Sequence, residues 1–369
     1  MVDFSDIQKP TLLLHPGRVR ENIRMMASRA RAQGKRFRPH FKTHQSAEIG
    51  EWFREEGITS ITVSSVDMAI YFADHGWEDI TLAFPVNLRQ VDKLQELAAR
   101  IKLGLLVESA EVVRSLGARL THTVNIWLKV DTGLHRAGLP WDQTSAFLPI
   151  FAGLEHHPFL NVAGLLTHAG HSYHADSPDE IIHIYNESVK RMNILRQSLA
   201  SSGWRGLEIS IGDTPGCSLV ADFGEVDEIR PGNFVFYDAQ QLSAGVCRVE
   251  QVAAAMACPV VAVHPERSEI VVYGGAIHLS KDWIEVNGER RFGLVALCHS
   301  TDGWNAPISG AYVSALSQEH GIVHMPEQYL AEIQPGDLLC IIPPHICLAA
   351  QAMGFYRTIH GRRIEMMKS

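Results

Sequence analysis

The segment RPHFKTH, residues 38–44, places a single lysine, Lys42, between two histidines. It overlaps the short run RFRPHF, residues 36–41, whose length and composition are those of a β-strand. A lysine amine held near apolar walls and other cations has a lowered pKa and becomes nucleophilic toward aldehydes. The local pattern also fits a solvated loop lysine, so the other polar residues of the chain must decide between the two interpretations.

Further polar residues stand directly after other strand-like runs. The segments KVDTGLHRAG (129–138) and LLTHAGHSYHA (165–175) contain Lys129, Asp131, His135, Arg136, His168, His171, Tyr173 and His174. Two glycine-rich segments, residues 210–218 and 228–238, could bind a phosphate through backbone N–H groups. Each segment alone could be an ordinary turn, but together they supply an amine, an arginine and two candidate anion sites.

Near the C-terminus, the segment PPHICLAA places His345 and Cys347 two positions apart. On a β-strand this spacing points both side chains to the same face, so an imidazole and a thiolate could bind one metal ion. Two protein ligands would leave coordination positions open, as a catalytic metal requires. A thiolate ligand favours Zn2+ over Mn2+ or Mg2+. An isolated H-x-C pair is weak evidence for a metal.

The strand-like runs alternate with helical patterns through the first two-thirds of the chain. The runs are residues 36–41, 60–64, 79–84, 102–107, 125–131, 161–168, 207–212 and 233–238. This alternation predicts an α/β fold, a (β/α)8 TIM-type barrel rather than an open doubly wound sheet. In such barrels the chemistry lies at the carboxyl ends of the strands, where Lys42 and the other polar segments fall.

After about residue 245 the long helical patterns stop, and short strand-like runs separated by turns follow. We therefore predict a barrel over residues 16–245 and a smaller, mostly β domain from residues 1–15 and 246–369. The opening run TLLLH, residues 11–15, is an extra strand that could join the second domain. The His345 and Cys347 pair falls in this second domain.

Composition excludes several classes of protein. The chain of 369 residues has 46% hydrophobic and 20% charged residues, which is enough apolar content for two folded domains. Its net charge of −8, without a basic stripe, argues against a nucleic-acid surface. We find no signal peptide and no apolar run of the ~18 residues that span a membrane. The missing basic stripe favours a small-molecule or protein partner. The six cysteines form no CxxC pair, which fits a reducing cytosol and favours a cytoplasmic protein.

Taken together, these motifs resemble the fold-type III pyridoxal-phosphate enzymes, within the D-threonine aldolase and D-serine dehydratase group of the alanine racemase-like superfamily. The similarity includes LSQEHG, residues 316–321, and it spans nearly the whole chain in the family's order. It implies an alanine racemase-type barrel with a β domain, pyridoxal 5'-phosphate as cofactor, a D-amino acid substrate and a homodimer. It also implies a divalent ion at His345 and Cys347, facing the cofactor, because this group carries an ion at that position. The H-x-Cys pattern is typical of the dehydratase-type members.

The resemblance further implies the residues around the cofactor, whose aldehyde carbon would be joined covalently to Lys42. The phosphate is expected near Tyr173, Gly212, Asp213, Thr214, Gly232 and Asn233. Arg230 is expected at the pyridine nitrogen and Arg136 near the ring hydroxyl, although each could instead form a structural salt bridge. His168 is also expected to contact the cofactor. His320 could act as a base or support one, or it could be an ordinary loop histidine.

Two reactions of a β-hydroxy D-amino acid remain open at this point. In dehydration, Lys42 would remove the α-proton and the β-hydroxyl would leave, giving a keto acid and ammonia. In aldol cleavage, the products would be glycine and an aldehyde. The cysteine at position 347 favours dehydration slightly.

Three alternative functions also remain. One is an amino-acid racemase of the same fold that uses Tyr312 or Tyr329. Another is a non-catalytic carrier of the cofactor, although such carriers lack a second domain. The third is a barrel metallohydrolase with metal ligands His168, His171 and His174.

Overall fold

The computed structural model describes residues 4–299 and 301–368. Its contacts divide the chain into two compact units, one of residues 24–232 and one that combines residues up to 23 with those from 233 onward. We call them the barrel unit and the β unit. The domain limits predicted from the sequence, residues 15/16 and 245/246, stay a prediction. The boundaries of these compact units need not be the boundaries of domains that fold independently.

Parallel strands form the core of the barrel unit. With the opening strand Thr11–Leu14 numbered β1, they are β2 (Arg36–Phe37), β3 (Ile61–Val63), β4 (Asp79–Pro85), β5 (Lys102–Val107), β6 (Val124–Asp131), β7 (Leu139–Pro140), β8 (Leu160–Leu166), β9 (Glu208–Ile211) and β10 (Glu228–Ile229). Their order is β2-β10-β9-β8-β6-β5-β4-β3, with β7 paired to the end of β6. A parallel bridge between His40 and Thr62 joins the two ends of this series, so the sheet closes into the predicted eight-stranded barrel.

Helices alternate with the barrel strands. They are α1 (Pro16–Ala32), α2 (Ala47–Glu55), α3 (Val66–Asp74), α4 (Val91–Ala98), α5 (Ala110–Gly117), α6 (Thr144–Leu154), α7 (Pro178–Ser201) and α8 (Thr214–Leu219). Three of them begin after a serine whose hydroxyl accepts a backbone N–H of the first turn: Ser65, Ser109 and Ser177. Serine is among the preferred residues at this position because it satisfies an otherwise unpaired donor.

One strand prediction was wrong. Residues 233–238 do not form the eighth barrel strand: Asn233–Val235 is a 3-10 turn, and the eighth strand is Glu228–Ile229. The reason is the fully buried Glu228, which accepts a hydrogen bond from Arg38 Nε at 2.7 Å. A charged residue inside a two-residue strand removes the apolar periodicity that sequence analysis relies on.

The β unit contains the opening strand and the rest of the chain. Its further strands are β11 (Ala254–His264), β12 (Glu269–Tyr273), β13 (Ile284–Val286), β14 (Glu289–Arg291), β15 (Leu294–His299), β16 (Gly303–Trp304), β17 (Tyr312–Leu316), β18 (His320–His324), β19 (Leu338–Ile342), β20 (Phe355–Thr358) and β21 (Arg363–Glu365). Its short helices are α9 (Ala239–Ser243), α10 (Ala276–Leu279), α11 (Glu327–Leu330) and α12 (Ile346–Met353).

The main sheet of the β unit has the order β12-β18-β17-β15-β19-β11-β1-β20-β21. The opening strand β1 lies inside it, antiparallel to β11 with Leu13 opposite Ala255. This arrangement confirms a mostly β second domain. None of the helices in the described part of the chain has the length and apolar character needed to cross a membrane.

The buried carboxylate of Glu228 generates a prediction about stability. We expect the substitution Glu228→Gln to lower the free energy of unfolding by roughly 3–5 kcal/mol, because it leaves the buried Arg38 guanidinium without one of its counter-charges. The denaturant midpoint measures this effect. As a control, Asp74→Asn removes an exposed carboxylate paired with Arg100 in the same unit and should cost about 1 kcal/mol or less. Equal midpoints for the two variants would contradict the prediction.

Candidate active site

Lys42 lies in a tight turn directly after the bridge that closes the barrel. Its backbone N–H donates to His40 Nδ1 at 3.3 Å, and its carbonyl accepts from Gln45 Nε2 at 3.1 Å. The preceding Phe41 is fully buried and packs against Trp77, with ring centroids 5.0 Å apart. The half-buried amine itself makes no hydrogen bond or ion pair among the described residues. The fold therefore holds the backbone of Lys42 and leaves its amine available for chemistry.

Cationic side chains surround this turn. Burial, followed by the charges of Lys42 and Arg230, holds the pKa of His40 well below its ordinary value. Arg136 acts on His40 in the same direction, although its own side chain is exposed and makes no hydrogen bond within the described residues. The predicted residues Lys42, Arg136 and Arg230 therefore do lie in one neighbourhood.

The fold keeps His168 neutral in the same neighbourhood. Burial holds the pKa of His168 well below its ordinary value, and the charges of Lys42 and Arg136 act in the same direction. Its Nδ1 donates to the carbonyl of Gly212, since a carbonyl can only accept, so Nε2 is the unprotonated nitrogen. This positive region of the barrel therefore includes an imidazole that can accept a hydrogen bond.

Sequence analysis gave no role to Lys129, which belongs to the same electrostatic group. It is 6% exposed, and burial together with the charges of Arg230 and Arg136 lowers its pKa to about 7. Its Nζ donates to the Val130 carbonyl at 3.1 Å. A lysine in these surroundings costs free energy when it is protonated, and an anion bound nearby would reduce that cost.

Arg230 is held in place inside the barrel. Its Nε donates to Ser210 Oγ at 2.6 Å and its Nη2 donates to the carbonyl of Thr167. Ser210 Oγ in turn donates to Glu228 Oε1 at 2.7 Å. Burial lowers the pKa of Arg230 to about 10, so the guanidinium is still charged at neutral pH. Its Nη1 group makes no hydrogen bond within the described residues and remains able to donate.

Two glycines allow the loops after β9 and β10 to approach their neighbours closely. A Cβ at Gly212 would lie 2.7 Å from the backbone of Arg230, and one at Gly232 would lie 2.9 Å from the carbonyl oxygen of His40. Any other residue at either position would force the loops apart. Beside the first loop, the backbone N–H of Thr214 donates to Tyr173 Oη at 3.2 Å, which brings two of the predicted phosphate-binding residues together.

The side chain of Asp213 serves the helix that follows it. Its Oδ1 accepts the backbone N–H of Gly216, at the start of α8, and the hydroxyl of Ser172 at 2.9 Å. Burial raises the pKa of Asp213 to about 6. The Oδ1 atom of the carboxylate therefore has two structural partners, and the predicted contact of Asp213 with a cofactor stays a prediction.

In the β unit, His345 and Cys347 do not lie on a strand, as their spacing had suggested. His345 is the residue before α12, in extended conformation, and Cys347 lies in the first turn of that helix. The helix starts here because Pro343 and Pro344 end β19. The two side chains nevertheless meet. Although burial opposes protonation, contacts with Cys347 and with Asp238 raise the pKa of His345.

Sequence analysis missed Asp238, which is fully buried. Its Oδ2 accepts the side-chain amide of Asn233 at 2.6 Å and the backbone N–H of Ile346 at 3.2 Å, and it lies 3.4 Å from His345 Nδ1. A carboxylate behind a histidine fixes which ring nitrogen carries the proton and so presents the other nitrogen outward. The only hint in the sequence was an aspartate ending the apolar segment FVFY.

Other predicted residues are not brought together. His320 is exposed at the start of β18, and its side chain makes no hydrogen bond within the described residues, so its role stays a prediction. His174 is exposed, whereas His168 is bonded to Gly212. Among the described residues no group of three or more His, Cys, Asp or Glu is arranged to hold a metal ion. The structure therefore gives no support to a metal site formed by His168, His171 and His174.

The lowered pKa of Lys129 generates a prediction about pH. In the folded protein the amine releases its proton near pH 7, whereas in the unfolded chain it does so near its ordinary value of 10.5. The unfolded state therefore binds more protons between these values, and stability should rise with pH across them. The substitution Lys129→Met should remove this dependence and stabilise the cofactor-free protein at pH 7, by up to about 5 kcal/mol.

Urea unfolding of both proteins between pH 7 and pH 10 measures the difference. Lys93→Met, which removes an exposed lysine of the same unit, is the control and should show a difference that does not change with pH. If the difference between wild type and Lys129→Met were also constant across this range, the burial of a neutral lysine would be excluded.

Comparison with known proteins agrees with this geometry. Residues 14–240 match the alanine racemase N-terminal domain family, and residues 253–359 match a family described as "Putative serine dehydratase domain". A D-serine dehydratase from Dictyostelium discoideum is 28% identical over 387 residues, covering 97% of this chain and 95% of its own. A D-threo-3-hydroxyaspartate dehydratase from a Delftia species is 28% identical over 362 residues, covering 96% and 94%. A 3-hydroxy-D-aspartate aldolase from Paracoccus denitrificans is 26% identical over 247 residues, covering 64% and 62%.

The solved structure of the Delftia dehydratase superposes with a TM-score of 0.89 at 26% identity, covering 99% of both chains. A cysteine-to-alanine variant of that enzyme, described as the metal-free form, superposes with a TM-score of 0.90 at 25% identity over 99% of each chain. The first match covers more than half of this chain, and the fold agrees over almost all of it. The chain therefore belongs to the alanine racemase N-terminal domain family, on a branch with relatives named as dehydratases and aldolases of D-amino acids.

Proposed function

We propose that this protein is a pyridoxal-phosphate- and divalent-metal-dependent lyase that dehydrates β-hydroxy D-amino acids to a keto acid and ammonia. The observation that carries the proposal is the environment of the Lys42 amine. This amine makes no hydrogen bond or ion pair among the described residues, and it stands at the carboxyl end of the first barrel strand among Arg136, Arg230 and a neutral His168. Relatives named as dehydratases match 96–97% of the chain, which favours dehydration over aldol cleavage.

The residues of the barrel unit fit the proposed cofactor. Pyridoxal phosphate is anionic, and the neighbourhood of Lys42 is rich in positive charge. Gly212 and Gly232 let the loops after β9 and β10 approach Arg230 and His40 closely, and glycine-rich loops of this kind can bind a phosphate through their backbone N–H groups. When bound, the cofactor supplies an aldehyde for the Lys42 amine and an electron-withdrawing ring that acidifies the α-carbon of an amino acid.

Each nearby side chain has a role under this proposal. The Nζ of Lys42 would hold the cofactor and would also be the group that accepts and returns the α-proton of the substrate. Arg230 is charged at neutral pH and fixed by Ser210, so it would be the residue that holds the ring nitrogen of a bound cofactor, and a cation there would disfavour protonation of that nitrogen. His168 offers Nε2 as an acceptor, because its Nδ1 proton is already bonded to Gly212.

The β unit fits a divalent metal ion, with zinc favoured over manganese or magnesium. The side chains of His345 and Cys347 meet, and together they form an imidazole and thiolate donor set that suits zinc. Asp238 lies behind His345 and orients it, as carboxylates commonly do for zinc-binding histidines. The ion would supply Lewis acidity toward a hydroxyl group. A homodimer and a cytoplasmic location, both expected from the sequence, stay predictions.

The proposal is tested first at Lys42. The substitution Lys42→Ala should abolish the yellow colour of the cofactor-loaded protein and lower keto-acid formation from D-serine by roughly 10²–10⁴-fold or more, because both the covalent link and the proton carrier are lost. Borohydride reduction followed by peptide mass analysis should place the cofactor on Lys42. The neighbouring Lys35→Ala serves as the control and should retain colour and activity.

Product analysis with the same protein distinguishes the two reactions. D-serine and D-threo-3-hydroxyaspartate should give keto acid and ammonia. Formation of glycine and an aldehyde as the main products would instead favour an aldolase, the function of the Paracoccus relative. A colourless wild-type protein that binds no pyridoxal phosphate would contradict both.

The metal is tested by its affinity as well as by activity. We expect a strong chelator to stop keto-acid formation and added zinc to restore it.

We expect Asp238→Asn to weaken zinc binding by roughly 10–100-fold, because His345 loses the carboxylate that orients it. Competition with a coloured chelator measures the affinity without any turnover. Asp337→Asn, a change of an exposed turn carboxylate in the same unit, should leave the affinity unchanged. Equal affinities of the wild type and Asp238→Asn would exclude this role for Asp238.

A further inference from the structure

Three cysteines that play no part in the proposed reaction lie close together in the β unit. Cys298 is on β15, Cys340 on β19 and Cys258 on β11, which are consecutive strands in the sheet. The sulfur atoms of Cys298 and Cys340 are 3.2 Å apart, and both thiols are reduced in this structure. Cys298 and Cys340 are 42 positions apart along the chain, so only the pairing of β15 with β19 brings them together.

We propose that Cys298 and Cys340 form a reversible disulfide bond when the protein meets a peroxide, and that this pair is an oxidative modification site. The register of β15 and β19 places Leu297 opposite Leu339 and Ala296 opposite Cys340, so both cysteine side chains emerge on the same face of the sheet. A disulfide requires about 2.05 Å between sulfur atoms, so the two atoms need to approach by roughly 1.2 Å. Cys298 is a diagonal neighbour of Cys340, a position at which Cα atoms lie about 7–8 Å apart, so bond formation requires a small shift of the two strands as well as side-chain rotation.

The two thiols differ in a way that suits such a reaction. Cys298 is half-buried and can be reached by a small oxidant, whereas Cys340 is completely buried. Cys340 is close enough to bond Cys298, and its other sulfur contact is the carbonyl of Gly303 at 4.0 Å. Cys298 is therefore the thiol that meets the peroxide, and Cys340 is the thiol that resolves the product before it can be oxidised further.

The chemistry balances with one peroxide molecule. The Cys298 thiolate attacks one peroxide oxygen, the O–O bond breaks, and Cys298 becomes a sulfenic acid as hydroxide leaves. The sulfur of Cys340 then attacks Sγ of Cys298, the S–S bond forms and the S–O bond breaks. The departing hydroxides take up the two thiol protons, so two thiols are oxidised and one peroxide is reduced to two waters.

The third cysteine is less suited to bond formation. A Cβ added at Gly274 would lie 2.4 Å from the sulfur of Cys258, which shows how tightly that sulfur is packed against the next strand. The register of β11 and β19 places Cys258 opposite Leu339, so its side chain emerges on the other face of the sheet from Cys340 and takes no part in the bond.

The bond would also affect a functional part of the chain. Cys340 lies on β19, which runs through Ile342 into the two prolines before His345. A covalent link at Cys340 ties this strand to β15 and restrains the segment that positions the proposed metal ligands. The disulfide itself requires neither the metal nor the cofactor, so it can be tested independently of the proposed function.

The test uses the full-length, fully reduced protein treated with an equimolar amount of hydrogen peroxide and then with an alkylating agent. The expected result is a mass loss of about 2 Da before alkylation, two fewer alkylated cysteines, and a peptide that joins Cys298 to Cys340 and separates on reduction. Cys247→Ser, which changes a cysteine elsewhere in the same unit, should behave as the wild type does. Cys340→Ser should lose the cross-link and instead trap dimedone at Cys298.

Three results would overturn the proposal. They are an unchanged thiol count in the wild type, a wild-type disulfide that joins other cysteines, and stable dimedone labelling of Cys298 in the wild type without a cross-link to Cys340. Because each of these is read from the wild-type protein, a variant that failed to fold would not obscure the outcome.

Discussion

The carboxylate of Glu228 occupies the interior of the barrel unit and contacts both Arg38 and Ser210. A buried carboxylate is tolerated only when charges and hydrogen-bond donors replace the water that it has lost. Arg38 supplies the charge and is itself paired to Asp79 at 2.6 Å. Ser210 Oγ also accepts a hydrogen bond from Arg230 Nε, so the position of Arg230 depends on Glu228 through Ser210. Through this network a two-residue strand is fixed between β2 and β9, and the eight-stranded ring can close.

The same network explains the character of the region around Lys42. It fixes Arg230, whose charge lowers the pKa values of His40 and Lys129. Bringing several cations together without an anion costs free energy, because like charges repel more strongly in a medium of low dielectric constant. The cofactor-free barrel bears that cost, and an anionic group bound beside Lys42 would relieve it. The same cationic side chains thus lower the stability of the cofactor-free barrel and favour the binding of an anion.

The β unit repeats this arrangement around another buried carboxylate. Asp238 accepts hydrogen bonds from Asn233 and Ile346 and lies beside His345, so one side chain links the turn after Gly232 to the start of α12. A histidine oriented from behind presents a defined nitrogen outward, which an isolated H-x-C pair does not guarantee. In each unit, a buried carboxylate that the sequence analysis did not single out positions a predicted site residue: Glu228 positions Arg230, and Asp238 positions His345.

The barrel could be predicted from the sequence, because seven of the eight predicted apolar runs do correspond to barrel strands and they alternate with helical patterns. The sequence also singled out Lys42, since a strand end in a barrel is where chemistry collects. The eighth strand, the roles of Glu228 and Asp238, and the start of α12 directly after His345 became evident from the folded structure alone. Buried polar residues are stabilised by partners that are distant in the sequence, such as Arg38 for Glu228. Cys298 and Cys340 likewise meet only through strand pairing. A local sequence pattern does not reveal such partners.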